Sequence, residues 1–174
     1  MSWGRLYPTQ KETLRQFVEK RIVHDLGAGE LELAAELARL GADVIAVDKE
    51  VPSRTVCGVK FIQRRFIEFD DLVETAFISW PTKYGTNGLV EILKRAKTVI
   101  YLGHNLDGTC CGDADMWEHL RARQILALDP QQRNTLIVYG EELSQPRAPL
   151  LEERAATDHA RIYRFTEWQK EENQ

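Results

Sequence analysis

Cysteine is scarce: Cys57, Cys110 and Cys111 are the 3 in 174 residues. Their number is odd, two are adjacent, and no histidine stands at metal-ligand spacing beside them. A disulfide framework and a structural zinc site are excluded, and reduced thiols in a cytoplasmic setting are the expectation. No apolar run approaches the roughly eighteen residues of a membrane span. Met1-Ser2-Trp3-Gly4-Arg5 has no apolar signal region, so a soluble protein without membrane association is expected. Base is not in excess either. A net charge of -4 and a pI near 5.6 speak against a general nucleic-acid binder and leave room only for a local basic patch. Internal repeats and low-complexity stretches are absent. With 43% hydrophobic and 29% charged residues, the composition fits one ordinary globular domain able to bury a core.

What the chain does have is a strand, glycine turn, helix and strand in succession. Ile22-Val23-His24-Asp25-Leu26 is apolar apart from its centre, and Gly27-Ala28-Gly29 follows. Glycines let the backbone bend sharply and approach a ligand that a Cβ would push away. Leu31, Ala34, Leu37, Ala38 and Leu40 then recur at helical spacing, opposite Glu30, Glu32, Glu36 and Arg39, and Gly41 ends the helix. The next strand, Asp43 to Asp48, closes on a carboxylate about twenty residues beyond the glycines, where βαβ units place an acceptor for ribose hydroxyls. A dinucleotide turn needs G-x-G-x-x-G, and Glu32 occupies its third glycine. Glu30 and Glu32 also put negative charge where phosphates need a positive field. The turn therefore points to a ligand without phosphates.

These residues resemble motif I of the class I S-adenosylmethionine-dependent methyltransferases, whose acidic residue sits two positions before the first glycine, as Asp25 does before Gly27. Where that family has a further glycine, two after Gly29, this chain has Leu31. The resemblance implies that Asp25, Gly27, Ala28 and Gly29 lie along the methionine and ribose part of S-adenosyl-L-methionine. Asp48 would hold the ribose, with Lys49 beside it. An ammonium, a sulfonium and no phosphate suit an acidic mouth.

Further along the chain, Pro8 with the Thr9-x-x-Glu12 capping pattern opens an N-terminal helix over Leu14, Phe17 and Val18. It is either a packing helix or one that leans over the cofactor, bringing Trp3 and Tyr7 to its mouth. Val59 to Gln63 reads as the third strand. Where the family often has an aspartate for the adenine amino group, this chain offers Arg65, followed by Phe66. Arg65 either stacks on the base, hydrogen-bonds its ring nitrogens, or is a surface arginine beside Glu68; Phe66 flanks the base or packs in the core. Ala76 to Ser79 reads as the fourth strand, and Ser79-Trp80-Pro81 would face the same crevice, beyond the carboxyl ends of the strands. This stretch resembles motif IV but lacks the N-P-P-Y tetrapeptide, which does not support methylation of DNA amino groups. Trp80 is either a core aromatic or a ring against the sulfonium.

Tyr84 to Gly88 reads as a loop, Leu89 to Leu93 as a short helix and Thr98 to Gly103 as the fifth strand. The polar loop from His104 to Asp113 looks like a substrate loop. His104 and Asp107, with Tyr84, are the candidate catalytic residues, His104 and Asp107 as general base; otherwise His104 hydrogen-bonds a loop carbonyl. Asp113 caps a helix expected to run through Met116, Trp117, Leu120 and Ile125 until Asp129-Pro130. Thr135 to Tyr139 and Arg161 to Phe165 read as a closing antiparallel pair.

The expectation is thus an α/β, Rossmann-like, mostly parallel seven-stranded sheet with helices on both faces and a C-terminal antiparallel pair. It would form a single domain over 1–174, with an N-terminal helix in 1–21, a cofactor-binding half in 22–103 and a substrate-side half in 104–174. By resemblance the activity is in-line methyl transfer from S-adenosyl-L-methionine to a small molecule, or to a macromolecule held with a partner subunit or within a homo-oligomer. No metal and no sequence-specific nucleic acid are expected. One rival reading is a degenerate methyltransferase-like module that binds a partner protein; another is a nicotinamide-dependent oxidoreductase.

Overall fold

The computed structural model describes residues 5–82, 87–104, 111–131 and 134–143. Seven strands form one sheet in the order β3-β2-β1-β4-β5-β7-β6. The parallel part is β1 (Ile22–Leu26), β2 (Asp43–Asp48), β3 (Val59–Gln63), β4 (Thr75–Ser79) and β5 (Thr98–Gly103). β7 (Thr135–Glu142) is antiparallel to β5 on one side and to β6 (Arg123–Pro130) on the other. The turn from β1 through α2 (Glu32–Arg39) to β2 makes β1 and β2 neighbours in register, Asp25 beside Ala46.

Side-chain alternation gives this sheet two apolar faces. One carries Val23, Ala46, Phe77, Ile100 and Leu136, covered by Leu14 and Val18 of α1 (Pro8–Val18) and by Leu33, Ala34 and Leu37 of α2. The other carries Leu26, Ile78, Tyr101 and Ile137, covered by Leu89, Ile92 and Leu93 of α3 (Leu89–Arg95) and by Met116, Trp117 and Leu120 of α4 (Ala114–Arg121). Each fully enclosed leucine stabilises the fold by roughly 1.5–3 kcal/mol relative to an exposed one, so the helices are held by packing more than by intrinsic propensity.

Two sequence expectations are corrected here. α1 opens at Pro8, its first residue, with Tyr7 as cap, and the Tyr7 N–H donates to Gln10 Oε1 at 3.2 Å; the Thr9-x-x-Glu12 pattern does not set the start. Gln10 is fully enclosed because its amide also donates to Asn134 Oδ1 at 3.0 Å, fastening α1 to the β6–β7 turn. The helix expected through Ile125 stops at Arg121. Ala122 closes it by donating to His119 O at 3.2 Å, and the following residues become β6 because β7 offers them a ladder from Arg123–Glu142 to Pro130–Thr135. The antiparallel pair at the end of the sheet is therefore 123–130 with 135–142. The strand expected over Arg161 to Phe165 lies outside the described residues.

Candidate functional site

The carboxyl ends of β1, β2, β4 and β5 converge at one edge of the sheet, and the glycine turn lies there. Gly27 (φ 82°) and Gly29 (φ 51°) both take the left-handed backbone that favours glycine. Gly27 N donates to Val47 O at 2.8 Å and Gly29 N to Asp48 Oδ2 at 2.9 Å, so the turn is laced to the end of β2. The second oxygen, Asp48 Oδ1, accepts from Glu50 N at 3.0 Å. Asp48 thus braces the turn, and each carboxylate oxygen keeps a further lone pair for a hydroxyl. A Cβ added at Gly29 would meet nothing within 4 Å, whereas one at Gly27 would sit 3.6 Å from the Phe66 ring.

Leu31 explains how the turn survives without the third glycine. It takes a left-handed conformation (φ 64°, ψ 19°), caps α2, donates its N–H to Ala28 O at 3.0 Å and buries its side chain in the core. A leucine there stores roughly 1–2 kcal/mol of backbone strain, which its burial offsets.

Asp25 is fully enclosed, between Ala46 on β2 and Phe77 on β4, and neither carboxylate oxygen has a hydrogen-bond partner among the described residues. Burial, and secondarily the nearby Asp48 carboxylate, push its carboxyl up to about 7. Its neighbour His24 faces the opposite way, edge-on to Phe69 at 5.9 Å, and burial lowers its proton affinity against the opposing pull of Asp71. The acids expected to make the mouth anionic are engaged elsewhere. Glu30 is held below the usual carboxylate range by the hydroxyl and N–H of Ser53, and Glu32 lies 3.9 Å from Arg54. Of the acids at the crevice, Asp48 is left facing the ligand side, with the enclosed Asp25 carboxyl behind it.

Ser79 ends β4 on the same face as Asp25 and Phe77. Trp80 adopts φ 47°, which is rare for a bulky residue, and donates its N–H to Leu102 O at 2.8 Å. The bend sets the indole edge-on to the His104 ring, centroids 4.9 Å apart at 86°. His104 is itself held from behind, since the Tyr101 hydroxyl donates to His104 O at 2.6 Å while the Tyr101 ring packs edge-on against Trp117 at 4.9 Å. Gly103 permits this staple, because a Cβ there would lie 2.5 Å from Tyr101 Oη. Sequence reasoning missed Tyr101 and Gly103; the only signal was an aromatic two residues before a strand-end glycine.

Two expected cofactor residues point outward. Lys49 is exposed, 3.7 Å from the Glu50 carboxylate, and Arg65 is exposed and ion-paired with Glu68, the third of its sequence alternatives. Phe66 is half-buried beside Gly27. Tyr84 and Asp107 lie outside the described residues, as does Trp3. No cluster of metal-ligating side chains exists among the described residues. A groove of about 720 Å3 along α1, α2 and the β2–β3 loop is separate from this edge; its cations Lys11 and Arg39 pair with Glu36, and Arg54 approaches Glu32. No helix among the described residues is long and apolar enough to cross a membrane.

No protein-family model matches the chain, and no curated protein matches it. Solved structures do. A ribosomal protein methylase from Lactobacillus delbrueckii subsp. bulgaricus superposes with a TM-score of 0.56 at 16% identity, over 81% of each chain. Magnesium protoporphyrin IX methyltransferase from Synechocystis, determined with bound SAM, gives 0.54 at 13% identity, over 80% of this chain and 86% of that one. The N-methyltransferase NodS from Bradyrhizobium japonicum gives 0.54 at 9% identity, over 78% and 94%. The mixed seven-stranded sheet, its order and these superpositions together show that the chain has the fold of the class I S-adenosylmethionine-dependent methyltransferases.

Proposed function

We propose that the protein is an S-adenosylmethionine-dependent methyltransferase acting on a small molecule. The observation that carries this reading is the convergence of an open glycine turn, a strand-end carboxylate with spare lone pairs and an enclosed carboxyl with no hydrogen-bond partner among the described residues. That set of acceptors fits a ligand with vicinal hydroxyls and an ammonium, and one structural neighbour, magnesium protoporphyrin IX methyltransferase, was determined with SAM bound. Asp48 would accept from the ribose hydroxyls, the glycine turn would let the chain lie close, and Asp25 would face the ammonium. Bound S-adenosylmethionine supplies a methyl group on a sulfonium, ready for in-line attack by a substrate atom. The transfer needs chiefly positioning and exclusion of water. His104, held from behind by Tyr101 and from the side by Trp80, would take a proton from the acceptor.

A thermal-shift comparison of S-adenosylhomocysteine, S-adenosylmethionine, NAD and ATP tests the reading. A ligand at about a hundred times its Kd adds roughly 2.7 kcal/mol, several degrees for a chain of this size. Stabilisation by the first two alone is expected, and Asp48→Ala should remove about 1.5–3 kcal/mol of their binding. One observation favours the rival of a degenerate, partner-binding module: the Phe66 ring already lies against Gly27. Under that reading none of the four ligands shifts the transition.

A further inference from the structure

Asp25 is fully enclosed, and the described residues around it give a charge there nothing to pair with. On β2 the nearby ionisable group is the Asp48 carboxylate, of the same sign. On β4 its register neighbour is Phe77, with the Ser79 hydroxyl two residues on. On β1 itself His24 points to the other face, beside Phe69. On α2, Glu32 is spent on Arg54, and Glu36 on Arg39 and on Lys11 of α1. Neither Asp25 oxygen receives a hydrogen bond among the described residues. A carboxylate in such a place is unfavourable, and a neutral carboxylic acid is the stable form.

We propose that ligand binding in this crevice releases a proton from Asp25: an arriving ammonium turns the enclosed carboxylic acid into a carboxylate, and the displaced proton passes to the solvent. The inference rests on the cofactor reading of the site given above. Charge balances, because the neutral acid and the cationic ligand become an ion pair plus one solvated proton. The direction of the Asp25 shift agrees with this, since burial and Asp48 both favour its protonated form at neutral pH. Affinity should therefore rise up to tenfold per pH unit below neutrality and level off above it.

Isothermal titration of the whole protein with S-adenosylhomocysteine, repeated in buffers of different ionisation enthalpy, reads the proton directly. The slope of observed heat against buffer ionisation enthalpy should correspond to about nine-tenths of a proton at pH 6 and about one-tenth at pH 8. Asp25→Asn should bind more weakly with a slope of zero. Asp48→Asn removes the neighbouring charge and should lower the slope at pH 6, which keeps the test decisive if Asp25→Asn does not fold. Binding with a buffer-independent heat at pH 6 overturns the inference and leaves the cofactor reading standing, as does a slope unchanged in Asp25→Asn. Absence of binding in every buffer overturns both.

Discussion

Asp25 and Arg123 are both enclosed ionisable side chains, at 0% and 1% exposure, near opposite ends of the same sheet. Arg123 opens β6 with every donor occupied. Nε donates to His119 Nε2 at 3.1 Å, Nη1 to Gly140 O at 2.7 Å and Lys97 O at 3.3 Å, and Nη2 to Leu93 O at 2.6 Å and Ala96 O at 2.7 Å. Two of those carbonyls, Leu93 and Ala96, belong to the last turn of α3 and its cap, where a cation is favoured by the helix dipole. Asp25 has no such partner among the described residues. A satisfied enclosed charge reads as architecture, tying α3, α4 and β7 together. An enclosed carboxyl that the described residues leave unsatisfied costs stability, and such a group calls for a functional account.

The comparison is broken most forcefully at Arg123. Arg123→Met should leave the Leu93, Ala96 and Gly140 carbonyls without their donor and lower stability by about 3–5 kcal/mol. That is a fall of roughly 6–20 °C in Tm for a chain of this length, measured by calorimetry, with no pH dependence of its own above neutrality.

Asp25→Asn should act with the opposite sign. The folded carboxyl holds its proton up to about 7, whereas an unfolded aspartate releases it near 3.8. The unfolded chain therefore ionises first as pH rises, and the wild type loses stability between about pH 4 and 7 and stays level above. The loss amounts to at most roughly 4 kcal/mol. The variant lacks this term, so the Tm difference in its favour should widen by several degrees between pH 5 and pH 8. A constant difference would show that Asp25 is already ionised in the folded protein.

A smaller effect separates the turn from the core. Leu31→Gly relieves left-handed strain but gives up a buried side chain, so a net loss of about 1–2 kcal/mol is expected. Leu37→Ala, in the same core without backbone strain, should lose about 2–5 kcal/mol. Urea denaturation of the two variants side by side measures the difference, and equal losses would mean that Leu31 carries no strain.

The β1–α2–β2 unit was legible because its signals are local: glycines at a turn, a 3.6-residue apolar period and a strand-end acid. β6 was not. Ile125 continues the helical spacing of Met116, Trp117 and Leu120, and β6 is an edge strand whose ladder slips twice, between Arg123 and Ile125 and again before Ala127. Only the partner, β7, decides its state, and at the start of β6 that partner is Glu142, far along the chain from Arg123. Within the site, Asp25, Asp48 and the glycines could be picked out by spacing. Sequence alone could not show that Asp25 is deprived of partners, that Arg65 turns to Glu68, or that Leu31 imitates a glycine, since each depends on which neighbours the fold supplies.

The Tyr101–Gly103 staple behind His104 bears on inheritance. Because a methyl group at position 103 would collide with the Tyr101 hydroxyl at 2.5 Å and with Cζ at 2.8 Å, position 103 is not free to drift while Tyr101 stays. Gly103→Ala is admissible only after residue 101 has shortened, and once it has shortened nothing keeps residue 103 a glycine. Descendants of this chain that keep the tyrosine should therefore keep the glycine, and a lineage that lost the tyrosine would have released His104 from its anchor.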